Sequence, residues 1–287
     1  MFLMSYFRTS AESLHLALSH DGLNWRALNG NRPTFGSSIG SQTLRDPFVF
    51  RDQNGLFHLL STNGWKSDAI YHAVSHDLMA WRDETLLPVM QTVPGTRNCW
   101  APEAFFARES NLYWIIWSST TPEAGEEFNA HGYNHRIWGT STPDFQQFSP
   151  AQLFFDPGYN VIDANVLPLE NGYVMAFKDE RGGHTPDSKH KAIRIAHAQY
   201  ALGPWETGEK FVSPLFTEGP TLFRAQDEWL MIFDHFTEGF FGAIATSDWK
   251  NWRDISAQIN VPAGPRHAGV IEIEDAVARQ LEEHWNN

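Results

Sequence analysis

The sequence predicts an all-β fold, a five-bladed β-propeller whose blades are four-stranded antiparallel sheets. Three repeated features support this prediction. Five short stretches, spaced 49 to 60 residues apart, each place a polar residue shortly before an apolar run. Turn dipeptides such as Asn-Gly separate apolar runs inside the repeats, which is typical of β-hairpins. A polar turn followed by an aromatic residue recurs once in each repeat. The five stretches open at Asp46, Glu103, Asp163, Glu218 and His267.

The N-terminal segment predicts two strands, because residues 2–7 and 14–19 alternate in polarity and flank the polar pair Thr9-Ser10. In the later repeats, apolar runs follow hairpin dipeptides such as Asn54-Gly55 and Asn171-Gly172. Each complete repeat therefore contains the signals for four strands joined by turns or loops. This is the pattern of one antiparallel propeller blade.

A strand-turn-aromatic unit marks the same place in each repeat. The pattern Ser-His-Asp-x-x-x-Trp begins at Ser19 and again at Ser75, and looser copies begin at Ser141, Gln199 and Ser247. Ser and Asp start turns by bonding the backbone two residues further on. The aromatic residue is expected to pack on the sheet.

The two ends of the chain are predicted to complete the fifth blade together. Residues 266–274 form a single opening strand, followed by a helix predicted from Ala276 to Trp285. Pairing this strand with the N-terminal strands removes an open sheet edge. Because no linker is visible, residues 1–287 are predicted to be a single five-bladed propeller domain. The polar insertions Thr120–His135 and Gly182–Lys191 are predicted to be loops that shape a binding site.

Charge and composition exclude several classes of partner. The chain has 287 residues, a formal net charge of −13 and a pI near 5.4, which argues against nucleic acid and anionic membrane surfaces as partners. The 12 Trp residues fit either packing between sheets or stacking on sugars. The oligomeric state is left open by the sequence.

Cysteine use and the N-terminus point to the cytoplasm. Cys99 is the only cysteine, so the chain forms no internal disulfide. No run approaches about 18 apolar residues, so no membrane span is expected. Residues 1–18 lack the features of a secretory signal. The expected location is cytoplasmic, or periplasmic or extracellular if a signal has been removed.

The five opening residues are expected to converge at one end of the propeller axis, because the first strand of each blade lines the central channel. Four carboxylates and one histidine around a cavity shift each other's pKa values, which suits acid/base catalysis. Three alternatives remain open: each residue caps a local turn, the ring binds Ca²⁺ through His267, or the propeller binds a sugar or a protein without turnover. No zinc motif, phosphate loop or nucleophile elbow is present.

The ordered set of motifs resembles glycoside hydrolase family 43, the five-bladed propeller enzymes that act on arabinose- and xylose-containing glycans. The resemblance spans nearly the whole chain. One departure is Glu103, where the family more often has Asp. The matching motifs are Arg45-Asp46-Pro47, Trp100-Ala101-Pro102-Glu103, Ile162-Asp163, Glu218-Gly219-Pro220 and His267.

The resemblance implies a role for each matching residue. Asp46 would be the general base, Glu218 the general acid, and Asp163 the residue that keeps the pKa of the acid raised. His267 would lie near the axis, where it is a candidate metal ligand through water. No cofactor is required by this interpretation, and Ca²⁺ at the axis is a candidate. The substrate-binding candidates are Trp100, Glu103, Arg97, Lys178, His235 and His267, with Asp234 as a weaker one.

The function expected from this resemblance is an exo-acting, inverting glycoside hydrolase that removes terminal α-L-arabinofuranosyl or related units from a carbohydrate substrate. Inversion is expected because carboxylates on well-separated blades leave room for water, about 6.5–9.5 Å between them. β-Xylosidase and β-D-galactofuranosidase are alternatives within the class. A carbohydrate-binding propeller without turnover is the alternative outside it.

Overall fold

The computed structural model describes residues 1–122, 132–183, 185 and 188–285. Within these residues, twenty β-strands form five four-stranded antiparallel sheets, and one α-helix follows the last strand. The predicted all-β fold of five four-stranded blades is therefore confirmed. No helix in this described part of the chain has both the length and the apolar character needed to cross a bilayer.

Blades I to IV are each built from four consecutive strands. Blade I contains β4 (Arg45–Arg51), β5 (Phe57–Thr62), β6 (Ile70–Ser75) and β7 (Arg82–Leu87). Blade II contains β8 (Trp100–Ala107), β9 (Leu112–Thr120), β10 (His135–Thr142) and β11 (Gln152–Phe155). Blade III contains β12 (Val161–Pro168), β13 (Tyr173–Asp179), β14 (Ala192–Ala198) and β15 (Glu206–Thr207). Blade IV contains β16 (Glu218–Ala225), β17 (Glu228–His235), β18 (Phe240–Thr246) and β19 (Arg253–Asp254).

Blade V joins the two ends of the chain, as the sequence predicted. Its innermost strand β20 pairs antiparallel with β1, so that Met4 lies opposite Val270. The helix α1 packs Ala278 and Leu281 into the apolar cluster between blades V and I. Ring closure therefore depends on both termini. The bounds are β20 (Arg266–Glu272), β1 (Phe2–Arg8), β2 (Ala11–Ser19), β3 (Arg26–Ala27) and α1 (Asp275–Trp285).

The two insertions predicted as loops are described only in part. Residues 123–131 of the first lie outside the described residues, and its two end residues belong to β9 and β10. In the second, residues 184, 186 and 187 lie outside, and the described remainder of residues 182–191 contains no helix or strand.

The core of the propeller consists of apolar clusters between neighbouring blades. Such a cluster lies between each adjacent pair, for example with Leu3 and Leu59 between blades V and I. Burying apolar surface contributes about 25 cal/mol per Å². Because alternate residues of a strand point to opposite faces, one inner strand supplies two clusters at once. The blades are thereby held at fixed positions around the axis.

Every innermost strand contains a β-bulge with one residue at positive φ. The ladder register shifts at the same place in all five blades. Bulges re-aim side chains at the rims of sheets, and positive φ is costly for residues other than glycine. At three of the five positions the residue with positive φ has a polar side chain, in spite of the conformational cost. The residues at positive φ are Asp46, Ala101, Asp163, Gly219 and His267.

The repeated polar turns are confirmed in four of the five places. The Asp21 carboxylate accepts hydrogen bonds of 2.8 Å from the backbone N–H groups of Leu23 and Asn24. Asp77, Asp144 and Asp248 form the same turn in blades I, II and IV. The fifth copy, at residues 199–205, has no Asp at this position and contains the cis peptide bond before Pro204.

Candidate active site

A cavity of about 710 Å³ lies at the end of the axis where the bulges occur. The residue just before the bulge lines it in all five blades, and the bulge residue lines it wherever it has a polar side chain. The acidic lining residues are Asp46, Asp163, Glu180 and Glu218. The basic ones are Arg45, Lys66, Lys178 and Arg266. The aromatic ones are Trp65, Trp100, Tyr133 and Phe236, and Thr62, Ile162 and His267 complete the wall.

Asp46 is held in one orientation by two neighbours. The Thr62 hydroxyl accepts the Ala101 N–H at 2.8 Å and donates its own hydrogen to Asp46 Oδ2 at 2.7 Å. His267 Nδ1 lies 3.5 Å from Asp46 Oδ1. Because the side chain of Asp46 is 15% exposed, its carboxylate remains accessible from the cavity. It can therefore receive a proton from a water molecule bound there.

Glu218 lies between two cations. Lys178 Nζ is 2.8 Å from Glu218 Oε2, and Arg266 Nη2 is 2.9 Å from Glu218 Oε1. Burial disfavours the charged carboxylate, but Lys178 and Arg266 outweigh it and lower the pKa of Glu218. In the free protein this carboxyl is therefore ionised at neutral pH.

Asp163 has the opposite electrostatic environment. Its Oδ2 accepts the backbone N–H of Gly219 at 3.1 Å. Burial raises the pKa of Asp163 to about 7; His267 opposes this rise and the Glu218 carboxylate adds to it. The sequence-based expectation was that Asp163 would keep the pKa of Glu218 raised. In the free protein the raised pKa instead belongs to Asp163, because the two cations contact Glu218.

The cations beside Glu218 are themselves held by further carboxylates. Lys178 Nζ is 2.9 Å from Glu180 Oε2, and Lys191 Nζ is 2.6 Å from Glu180 Oε1. On the other side, Arg266 forms an ion pair with Asp234. These alternating charges compensate one another in a buried region, where an unpaired charge would be costly. They fix both cations against Glu218.

Three of the six predicted substrate-binding residues line the cavity: Trp100, Lys178 and His267. Glu103 does not, because it lies two residues beyond the bulge position of its strand and so one step deeper along the axis. There it accepts a 2.6 Å hydrogen bond from Asn165 Nδ2, and burial raises its pKa well above the usual range.

The other two predicted residues lie outside the cavity wall. Arg97 donates to the carbonyl of Gly132, and its guanidinium lies 5.9 Å from the centre of the Tyr133 ring. His235 stacks on Phe240 with a centroid separation of 4.3 Å. Asp234, a weaker candidate, is absent from the cavity wall, forms an ion pair with Arg266 and pairs with Glu218 in the β16–β17 ladder.

Several wall residues were not predicted from the sequence. Arg45 and Arg266 precede bulge residues, as Ile162 and Glu218 do, so an alignment of the repeats on the bulge would have found them. Trp65 lies in an irregular loop without a repeat signal, so nothing in the sequence placed it at the cavity.

The residues around His267 do not provide a set of ligands for Ca²⁺. No group of three His, Cys, Asp or Glu side chains within the described ranges is arranged to hold a metal ion. His267 and Asp46 offer one nitrogen and one carboxylate, whereas Ca²⁺ takes six to eight oxygen ligands.

Comparison with protein families gives a match over residues 1–278 to a model described as "Probable glycosyl hydrolase domain", related to glycoside hydrolase family 43. Among curated proteins, an alpha-L-arabinofuranosidase from Bifidobacterium longum subsp. longum is 23% identical. The match covers 81% of this chain and 26% of that protein. The chain thus spans about a quarter of the length of this relative.

Solved structures with the same fold include glycoside hydrolases. A thermostable family-43 glycoside hydrolase matches with a TM-score of 0.63 and 17% identity, over 82% of this chain and 81% of that one. An alpha-L-arabinofuranosidase from Lactobacillus brevis matches with a TM-score of 0.57 and 15% identity, over 74% and 72%. The GH43_1 enzyme from Xanthomonas citri complexed with xylose matches with a TM-score of 0.58 and 12% identity, over 77% and 76%. At these identities the likeness concerns the fold.

Proposed function

The chain belongs to the family of glycosyl hydrolase domains related to family 43, and from this premise we propose that it is an exo-acting, inverting glycoside hydrolase. Its proposed substrate is an oligosaccharide or polysaccharide side chain that ends in an α-L-arabinofuranosyl unit. The observation that carries this proposal is the convergence of Asp46, Asp163 and Glu218 on one cavity, from the innermost strands of three blades.

The charges of the cavity favour a neutral ligand. Its wall has four acidic and four basic side chains, although the whole protein carries a formal charge of −13. A balanced set of donors and acceptors suits the hydroxyl groups of a sugar better than it suits an anion or a cation.

The inner end of the cavity supports exo action. One step further along the axis, Asn165 donates to Glu103 and accepts the backbone N–H of Leu222 at 2.9 Å. These two hydrogen bonds of Asn165 connect blades II, III and IV below the catalytic carboxyls. We therefore expect a glycan chain not to pass along the axis, so that a terminal sugar enters from the mouth.

In the proposed reaction, Asp46 takes a proton from water as the water oxygen bonds to the anomeric carbon. The glycosidic C–O bond breaks, and the leaving oxygen takes a proton from Glu218. Each turnover leaves Asp46 protonated and Glu218 ionised, and solvent restores both. Inversion follows if the two carboxyls act from opposite sides of the ring, without a covalent intermediate.

Glu218 has to be protonated before it can act. In the free site the raised pKa belongs to Asp163 and the pKa of Glu218 is lowered. The proton is therefore held on Asp163 and not on Glu218, which has to donate it to the leaving oxygen. We expect bound sugar to screen Glu218 from its cations and to favour protonation of Glu218. Asp163 then remains ionised and stabilises that protonated state.

Loss of Lys178 should shift the alkaline limb of the pH–rate profile. Lys178→Met removes a cation that lowers the pKa of Glu218, so this pKa rises. A general acid is inactive above its pKa; the pH at which kcat/KM falls on the alkaline side should therefore increase.

The control for this shift is Lys66→Met, which removes a positive charge from the wall of the same cavity. The position of its alkaline limb should match that of the wild type. An unmoved or lowered limb in Lys178→Met would contradict the assignment of Glu218 as the acid.

The proposed function is tested by hydrolysis of aryl glycosides and oligosaccharides of arabinofuranose, xylose and galactofuranose. Proton NMR should show the initial product from the arabinofuranosyl substrate with inverted anomeric configuration. Initial retention would refute the inverting mechanism, and release from the xyloside alone would make the protein a β-xylosidase. Binding of oligosaccharides without release from any of them would identify a carbohydrate-binding propeller.

A further inference from the structure

Trp65 is an exposed aromatic residue at the mouth of the cavity. The residue is 58% exposed, and of the large apolar residues exposed in the described part of the chain it is the one that lines the cavity. It follows Thr62, the partner of Asp46, by three residues and lies beyond the end of β5. It is therefore an exposed part of the cavity wall on the same blade as Thr62.

The indole of Trp65 is held in place although it is exposed. Its ring meets that of Trp100 edge to face, with centroids 5.4 Å apart and an interplanar angle of 87°. Trp100 Nε1 donates to the carbonyl oxygen of Trp65 at 3.1 Å. The guanidinium of Arg45 lies 4.6 Å from the centre of the Trp65 ring and is itself paired with Glu12. A ring that is already ordered loses little entropy when a ligand stacks on it.

The terminal sugar of the proposed reaction occupies the space between Asp46, Asp163 and Glu218. The Glu103–Asn165 pair bridges blades II and III at the inner end, so we expect the remainder of the glycan to leave through the mouth. There it passes Trp65. The polarised C–H groups of a sugar ring are attracted to the negative face of an indole.

We propose that Trp65 is the stacking platform for the sugar on the leaving-group side of the scissile bond. This inference rests on the proposed hydrolase function and extends it. The preferred substrate is one in which the terminal unit is attached to another sugar ring, rather than to a small alcohol.

The test compares two substrates that differ only on the leaving-group side. One is an arabinofuranosyl oligosaccharide, and the other is the methyl glycoside of the same terminal sugar. Both leaving groups are alkoxides, so they need the general acid to a similar extent. In Trp65→Ala, the ratio of kcat/KM for the oligosaccharide to that for the methyl glycoside should fall about five- to tenfold, as expected for loss of one aromatic stack. Trp65→Phe should retain most of the ratio.

The matched control is Tyr200→Ala. Tyr200 is also 58% exposed, but it does not line the cavity. In Tyr200→Ala the ratio of kcat/KM for the oligosaccharide to that for the methyl glycoside should equal the wild-type ratio. An unchanged ratio in Trp65→Ala, with hydrolysis intact, would refute the stacking role of Trp65. It would not affect the proposed hydrolase function.

A binding measurement tests the role of Trp65 independently of the proposed hydrolase function. If the wild type hydrolyses neither substrate, the hydrolase proposal fails, and calorimetry with the same oligosaccharide decides the platform. An affinity about five- to tenfold weaker in Trp65→Ala than in Tyr200→Ala would support Trp65 as a sugar-binding residue. Equal affinities, or absence of binding to the wild type, would overturn it.

Discussion

Replacing Glu218 with glutamine is expected to lower kcat for an oligosaccharide by roughly 10³-fold, within the range that general acid catalysis contributes. Glutamine has nearly the same shape as glutamate but cannot donate a proton to the leaving oxygen. A leaving sugar is a poor leaving group without that proton. The measurement is kcat on an arabinofuranosyl oligosaccharide at saturating concentration.

The size of the loss should depend on the leaving group. A dinitrophenolate departs without protonation, so Glu218→Gln should hydrolyse a dinitrophenyl glycoside with a much smaller loss than the oligosaccharide. Equal losses on both substrates would argue that Glu218 acts in another way. Turnover of the oligosaccharide by Glu218→Gln at the wild-type rate would refute the assignment of Glu218 as the acid.

Glu103→Gln is the matched control for this variant. Glu103 is also a glutamate on an innermost strand, but it is buried outside the cavity, and burial keeps its pKa raised. Because glutamine can still accept the hydrogen bond of Asn165, turnover should stay close to that of the wild type. Melting temperatures of both variants verify that the propeller is intact, since Glu218→Gln leaves Lys178 and Arg266 with a weaker, uncharged partner.

The contrast between Glu103 and Glu218 illustrates what the sequence could predict. Blade number, strand order and ring closure depend on local patterns: alternation within strands, turn dipeptides and the spacing of repeats. These patterns are strong, and the structure matches them. The position of a side chain relative to the axis depends on the bulge, which shifts the register by one residue.

The bulge explains why the opening residues are not equivalent. Asp46, Asp163 and His267 occupy the bulge position, whereas Glu218 precedes it and Glu103 lies two residues beyond it in blade II. Apolar patterning does not reveal this difference. It explains why the sequence placed Glu103 in the ring, although its side chain lies deeper along the axis.

The electrostatics of the site depend on partners that are distant in the sequence. Lys178 and Arg266 meet Glu218 from 40 residues before it and 48 residues after it. A sequence motif identifies a carboxyl group, but its pKa depends on the charges that the fold brings next to it. The lowered pKa of Glu218 and the raised pKa of Asp163 therefore needed the three-dimensional arrangement.

The second large effect is expected for Asp46→Asn, which should lower kcat by about 10²–10⁴-fold through loss of the general base. Asparagine tolerates the positive φ of 49° at this position. Its side-chain oxygen can also still accept the hydrogen bond of Thr62. The variant therefore removes the base and retains the local structure.

Asp46→Asn and Glu218→Gln should differ in how they respond to the leaving group. Water has to be activated whatever departs, so loss of the base should slow the dinitrophenyl glycoside and the oligosaccharide to a similar extent. Asp52→Asn, a turn residue of the same blade outside the cavity, is the control and should keep wild-type turnover. If instead Asp46→Asn spared the dinitrophenyl glycoside and Glu218→Gln slowed both substrates equally, the two roles would have to be exchanged.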